Sequence, residues 1–420
     1  MTTTAKLQDV LAILAGAYLV LLQTNLAHAL RSIVAGLIVL VALALVLRTD
    51  ARRDAALSRP ARLWVALFLA CCAWSALSIG WSVRPGYSAH EVASDVAVMG
   101  AVALAMLFAP RETVTFRRIV TATLVAFAAL ALAAIALAVP TVAWPGRPLH
   151  HAVGAWSTLI VLVAPMIALM RAPPDAGWGR GPAATAAAIA IAALVLVAAR
   201  ITDNRMIWPA LAVALVVLAA AGARRWPERW RERPVRRALA FIAVAGVLVA
   251  AFVDVAQHKA DTTISPPATI ERSVASDPRL AIWPRVGEAI AERPWIGHGY
   301  GREIRAAELV RTLGDPTWTH AHNVFASVWL QTGAVGLMLF LLLLGATVAR
   351  FAGYLRSRDD ALALAGAVGI ALVAGMLAKS LTDDFFARTN LRFFWTTVAL
   401  LIAFGERRLR MVAAGERRVI

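Results

Sequence analysis

Asn323-Val-Phe-Ala-Ser-Val-Trp-Leu-Gln-Thr-Gly-Ala-Val-Gly-Leu-Met-Leu-Phe-Leu-Leu-Leu-Leu-Gly-Ala-Thr-Val-Ala349 contains no charged side chain. About 20 mainly apolar residues are enough to cross the hydrocarbon of a bilayer. Without water, every backbone N–H and C=O must find its partner inside the segment, so such a run is helical. Comparable runs lie at 7 to 23, 30 to 47, 63 to 81, 92 to 109, 119 to 139, 154 to 170, 183 to 199, 206 to 222, 238 to 256, 361 to 381 and 393 to 404. Of the 420 residues, 60% are hydrophobic and 16% charged, against roughly half and a quarter in a soluble domain. A soluble globule is excluded. The pattern predicts an all-α integral membrane protein with about 12 transmembrane helices.

The net charge of +17 has a topological explanation. If successive runs alternate in direction, most basic residues fall on one side, including Arg48, Arg52 and Arg53, the arginines from Arg224 to Arg237, and those from Arg407 to Arg418. Short cytoplasmic loops carry such an excess of Lys and Arg. Both termini are therefore expected to be cytoplasmic, and the charge calls for membrane lipids and no nucleic acid as partner. The first run is expected to be a retained span rather than a cleaved signal. Cys71 and Cys72, adjacent within an apolar run, offer neither a disulfide framework nor metal-ligand spacing.

Three parts follow from this pattern: residues 1–256 with nine helices, a long outer loop at 257–321, and residues 322–420 with the last three helices and a cytoplasmic tail. Long ordered loops are usually functional. The loop balances its basic and acidic residues, so any anion site there must come from arrangement rather than from a basic field. Asp277-Pro278 reads as an N-cap followed by proline at the first helical position. Leu280, Trp283, Val286 and Ile290 then recur at intervals of three and four, predicting a short amphipathic helix that lies on the membrane surface or on the mouth of the bundle. Trp295-Ile-Gly-His-Gly-Tyr-Gly301 suits a tight turn.

Ionisable residues are scarce in the spans and gather at their outer ends, which points to an outward-facing site. That side lacks nucleotide donors, so a transferase there needs a donor already activated on a lipid carrier. Thr319-His-Ala-His322-Asn leads into the tenth run. The positive end of the helix dipole disfavours imidazolium, so His322 is either an interfacial capping residue or a neutral ring suited to act as general base. Gly333 and Gly336 suggest close helix packing. Arg200 and Arg205, at the outer ends of the seventh and eighth runs, either snorkel to the interface or bind phosphate in bidentate fashion. Lys379 with Asp383-Asp384 forms a buried pair or a substrate contact. No cluster has convincing metal spacing, and no cofactor is expected.

His322-Asn323, nine residues, then Gly333-x-x-Gly336 resembles the signature of the O-antigen ligase and O-antigen polymerase superfamily, which includes protein O-oligosaccharyltransferases. Arg279-x-x-x-Trp283 and Arg293-Pro294-x-x-Gly297-x-Gly299 are similar to its loop pattern. Arg205 matches an arginine at a span entrance, with Asn204 where a serine is common. The likeness in motif covers roughly residues 200 to 350. It implies a bacterial inner-membrane enzyme with a periplasmic active site, which moves a preassembled glycan from undecaprenyl pyrophosphate to an acceptor hydroxyl, for a ligase a sugar of lipid A-core. His322 would then be the base, and Arg279 and Arg205 would hold the pyrophosphate. Arg200, Trp283, Arg302, Tyr300, Asn323, Lys379 and Asp384 would be secondary contacts.

Two rivals stand beside the ligase. A polymerase uses the same donor but a second carrier-linked glycan as acceptor. A transporter or lipid flippase would also have twelve spans, but would be expected to carry midplane charges or an internal repeat, neither of which is evident.

Overall fold

The computed structural model of the protein describes residues 2–24, 27–109, 113–138, 153–171, 182–231, 234–263, 277, 279–314 and 318–416. Leu, Ala and Val fill the apolar runs, and the described residues are helices joined by turns, with no strand among them. Among the described residues, eleven helices are long and apolar enough to span a membrane. Nine precede the loop: α1 (Thr3–Leu21), α2 (His28–Val46), α3 (Arg59–Leu77), α4 (Pro85–Met106), α5 (Thr113–Ala138), α6 (Val153–Met170), α7 (Pro182–Ile201), α8 (Ile207–Arg225) and α9 (Pro234–Thr263). The ninth thus runs seven residues past the expected boundary at 256. Two loop helices follow, α10 (Arg279–Glu292) and α11 (Ala306–Leu313), and then α12 (Val324–Leu355) and α13 (Asp360–Ser380).

The twelfth apolar run forms the centre of α14 (Arg388–Glu416). This helix falls short of the others in hydropathy because Arg392, Glu406 and Arg407 flank its apolar middle. It can carry them because it is enclosed by protein: Asn390, Thr396 and Thr397 are buried with Phe393, Phe394 and Leu401. Near one end Arg392 donates to Asp95 of α4 at 3.1 Å. Near the other, Glu406 pairs with Arg350 of α12, accepts from the Tyr354 hydroxyl at 2.9 Å, and accepts from the backbone N–H of Ser58 at 2.7 Å. One buried carboxylate therefore ties together the start of α3, the end of α12 and α14, and its charge is tolerable inside only because these partners surround it.

Glycines let α13 approach its neighbours closely. A Cβ on Gly375 would touch Ala214 and Val161 at 3.1 Å, and one on Gly366 would lie 2.5 Å from the backbone of α12. Small residues at helix contacts are how membrane bundles gain packing where lipid offers no hydrophobic drive.

The described helices of the loop pack against the start of α12. Ile282, Val286 and Ala289 of α10 form a buried cluster with Ile304, Leu309, Ala321 and Leu330. The expected stripe is corrected in part: Val286 is buried, but Leu280 is 52% exposed and Trp283 36%. Apolar residues occupy more than half the circumference of this helix, so periodicity alone could not choose the face. Pro278, expected at its first position, lies outside the described residues, as do Arg272, Glu271 and Asp315.

Candidate active site

The site begins with a break in α12. Gly333 has φ 71° and ψ −176°, a combination open essentially only to glycine, so the helix interrupts its own ladder there. Five backbone groups around the break find partners outside the helix, as buried backbone must find partners somewhere. The carbonyls of Leu330 and Gln331 accept from the N–H groups of His298 and Gly299, each at 2.9 Å. Trp74 Nε1 donates to the carbonyl of Thr332 at 2.8 Å. In return, Ala334 and Val335 donate to the carbonyls of Pro294 and Trp295 at 2.8 and 3.3 Å. The glycine-rich turn is thus spliced into the helix. Gly297 also has positive φ, and a Cβ there would lie 2.5 Å from the Gln331 carbonyl. This gives Gly333 a sharper role than the close helix packing expected of it.

The splice fixes the segment that carries His322. Trp283 Nε1 donates to the carbonyl of Ala321 at 3.2 Å. Asn323 caps α12, its Oδ1 accepting from the N–H of Ala326 at 3.0 Å while its Nδ2 donates to the carbonyl of Leu381 at 2.9 Å. Between them His322 takes a left-handed φ of 52°, which turns its ring inward, where it is 9% exposed. The ring stacks on His320 at 3.8 Å between centroids and meets Trp318 edge-on at 4.8 Å. Both ring nitrogens are buried and have no partner among the described residues, a costly state that a ligand hydroxyl would relieve.

Burial pushes the His322 pKa down to about 4; Asp383 and Asp277 nearby favour the charged ring, while Arg279 and Arg302 oppose it. His320 is held lower still, by burial and then by Arg302, whose guanidinium donates to its ring at 2.8 Å. The sign is definite: acid must pass well below the ordinary value of 6.5 before His322 charges. Histidine NMR is expected to show this ring neutral from pH 7 to about 5 and titrating near 4. Titration near 6.5 would mean that water reaches the ring freely.

The two arginines expected to bind anion come together, although 74 positions separate them. Arg205 lies in the turn before α8, where Asn204 accepts from the N–H of Met206 at 3.0 Å and donates to Ser157 of α6 at 3.1 Å. Arg279 opens α10. Both pair with one carboxylate, Asp277, Arg279 at 3.0 Å. Asp277 Oδ1 also accepts from the N–H of Arg279 at 3.0 Å. Burial alone would raise the Asp277 pKa, but this N–H and the two guanidiniums together hold it below the usual carboxylate range.

The remaining candidates divide. Arg302 also lies 4.7 Å over the Phe385 ring, and Lys379 forms a buried ion pair with Asp383. Asp384 is buried, with one oxygen unpartnered among the described residues, and burial raises its pKa to about 7 against the lowering effect of Arg302. Arg302, Asp384 and Tyr300 line an interior cavity that continues to Phe68, Met99 and Trp395. The backbone N–H of Tyr300 donates to Ser78 at 2.9 Å. Arg200 is set apart in a half-exposed pairing with Asp254 at 2.6 Å. Sequence reasoning read Asp277 only as a cap and assigned His320 no role. A second histidine two positions before the first was the available signal. Among the described residues no three His, Cys, Asp or Glu side chains converge as a metal site.

Residues 188–341, from α7 through the loop into α12, match the family described as O-antigen ligase. The chain is 27% identical over 161 residues to a general O-oligosaccharyltransferase of Acinetobacter baylyi, covering 36% of this chain and 28% of that protein. It is 29% identical over 82 residues to a ComP-specific O-oligosaccharyltransferase of the same organism, covering 18% and 15%. The chain therefore spans less than a third of the curated relatives it matches. Family match and relatives bear out the resemblance to the O-antigen ligase superfamily.

Proposed function

We propose that this chain, which carries the O-antigen ligase match over residues 188–341, transfers a preassembled O-antigen glycan from undecaprenyl pyrophosphate to a sugar hydroxyl of lipid A-core. The site faces the periplasm, and the protein lies in the inner membrane with both termini cytoplasmic. The observation that carries this reading is a buried His322 with no partner among the described residues, within electrostatic reach of Arg279 and Asp277, where Arg205 and Arg279 meet on that one carboxylate.

His322 removes the proton from the acceptor hydroxyl. The oxygen attacks the anomeric carbon as the bond from that carbon to the phosphate oxygen breaks, and direct attack inverts the centre. Arg205 and Arg279 offset the negative charge that collects on the pyrophosphate. A ring with so low a pKa is a weak base by itself. A bound pyrophosphate would cancel the opposing charge of Arg279 and, with Asp383, favour the imidazolium that forms.

A second reading, transfer to a protein hydroxyl, is favoured by the names of the two relatives, both O-oligosaccharyltransferases. The test is to give purified protein the carrier-linked glycan with lipid A-core, with an acceptor protein, or with carrier-linked repeats alone. Product in the first supports the ligase, in the second the protein transferase, and longer chains in the third the polymerase. No product in any would sink the transferase reading and leave a transporter or flippase. In whichever assay yields product, alanine at Arg205 or Arg279 is expected to lower turnover about a hundredfold or more. Near-normal transfer with normal expression would remove that arginine from the mechanism.

A further inference from the structure

Arg205 and Arg279 reach their meeting point from separate elements, a turn before α8 and the first turn of α10. Their side chains, 15% and 22% exposed, bring both guanidiniums onto the same oxygen of Asp277, whose side chain is 13% exposed. Two cations brought this close repel each other unless an anion lies between them. Asp277 is that anion, fixed by the N–H of Arg279 on its other oxygen. It therefore occupies the position that a ligand phosphate would take on the same two side chains. We propose that Asp277 is a positioning residue that serves as a built-in counter-anion: it holds the two guanidiniums together in the free enzyme and yields them to the diphosphate of the substrate.

This inference rests on the transfer reading. Its further consequence concerns release. The donor diphosphate is a diester, and transfer frees one of its oxygens, so the carrier diphosphate left behind bears more negative charge than the donor. Two unopposed arginines would hold that product more tightly than the substrate. A carboxylate that returns to the guanidiniums competes with the product and speeds its departure. Asp277 thus trades affinity for turnover.

The test uses Asp277→Asn and Asp277→Ser in the full-length protein in detergent. Both side chains still offer an N-cap oxygen, so helix α10 keeps its cap while the counter-charge is lost. Inorganic pyrophosphate is the probe, its affinity read by calorimetry, alongside steady-state glycan transfer. Loss of one opposing charge at this separation is expected to tighten pyrophosphate binding about tenfold or more in both variants, with KM and kcat falling together. Binding that is unchanged or weaker, or kcat falling at constant or raised KM, would make Asp277 a scaffold only and overturn the proposal. The two readings separate cleanly. If the wild type transfers glycan while the variants bind pyrophosphate no more tightly, only the role of Asp277 fails. If no form transfers glycan yet both variants bind pyrophosphate more tightly, the transfer reading fails and the counter-anion stands.

Discussion

Replacing His322 by alanine is expected to lower glycan transfer by a factor of about a hundred to ten thousand, the usual contribution of a positioned general base, with little change in stability. The groups that hold this segment do not include the imidazole. Trp283 and Asn323 anchor the backbone on either side, and Arg302 braces His320. Neither nitrogen of His322 has a partner to lose among the described residues, so alanine forfeits the stacking on His320 and the edge-on contact with Trp318 and no hydrogen bond there. Purified variant should elute and melt close to the wild type while product formation disappears from a gel of ligated glycan. Comparable product from both proteins would remove the histidine from proton transfer and leave the arginines as the only chemical groups placed at the donor.

Valine at Gly333 is expected to be as damaging by a different route. Its φ of 71° disfavours any side chain, and a Cβ would sit 2.1 Å from the carbonyl oxygen of Trp295. Relief requires the glycine-rich turn to leave the helix, and with it the four backbone hydrogen bonds from His298, Gly299, Ala334 and Val335. Strain and overpacking together are expected to cost about 3 kcal/mol or more. The mouth should loosen before the bundle does, so proteolysis within the loop should accelerate and transfer should fall with it. Gly345→Ala on the same helix is the control, since nothing lies within 4 Å of its Cβ position. If Gly333→Val kept wild-type protease resistance, the splice would not hold the mouth together.

The bundle was readable because hydrocarbon imposes a length and a composition on each span, and eleven helices among the described residues meet both. The candidate site was readable only in pieces. His322 announced itself by its place ahead of an apolar run, and Gly297 and Gly299 announced a turn. That the turn would be received by Gly333 could not be read, because the partners are single backbone groups more than thirty residues apart, with no periodicity to report them. The meeting of Arg205 with Arg279 was hidden for the same reason, and Asp277 looked like a cap because it is one. Arg200 shows the opposite error of sequence adjacency: five residues from Arg205, it points to Asp254 of another helix.

The enclosed α14 has a consequence for how the chain is made. A segment that carries Arg392 and Glu406 toward its ends is a poor passenger for hydrocarbon, where each such charge is costly. Its neutralising partners, Asp95 and Arg350, belong to helices synthesised earlier. This helix therefore joins the bundle as a guest of residues made before it: its charges find their partners by docking, and it owes its place to the company it joins.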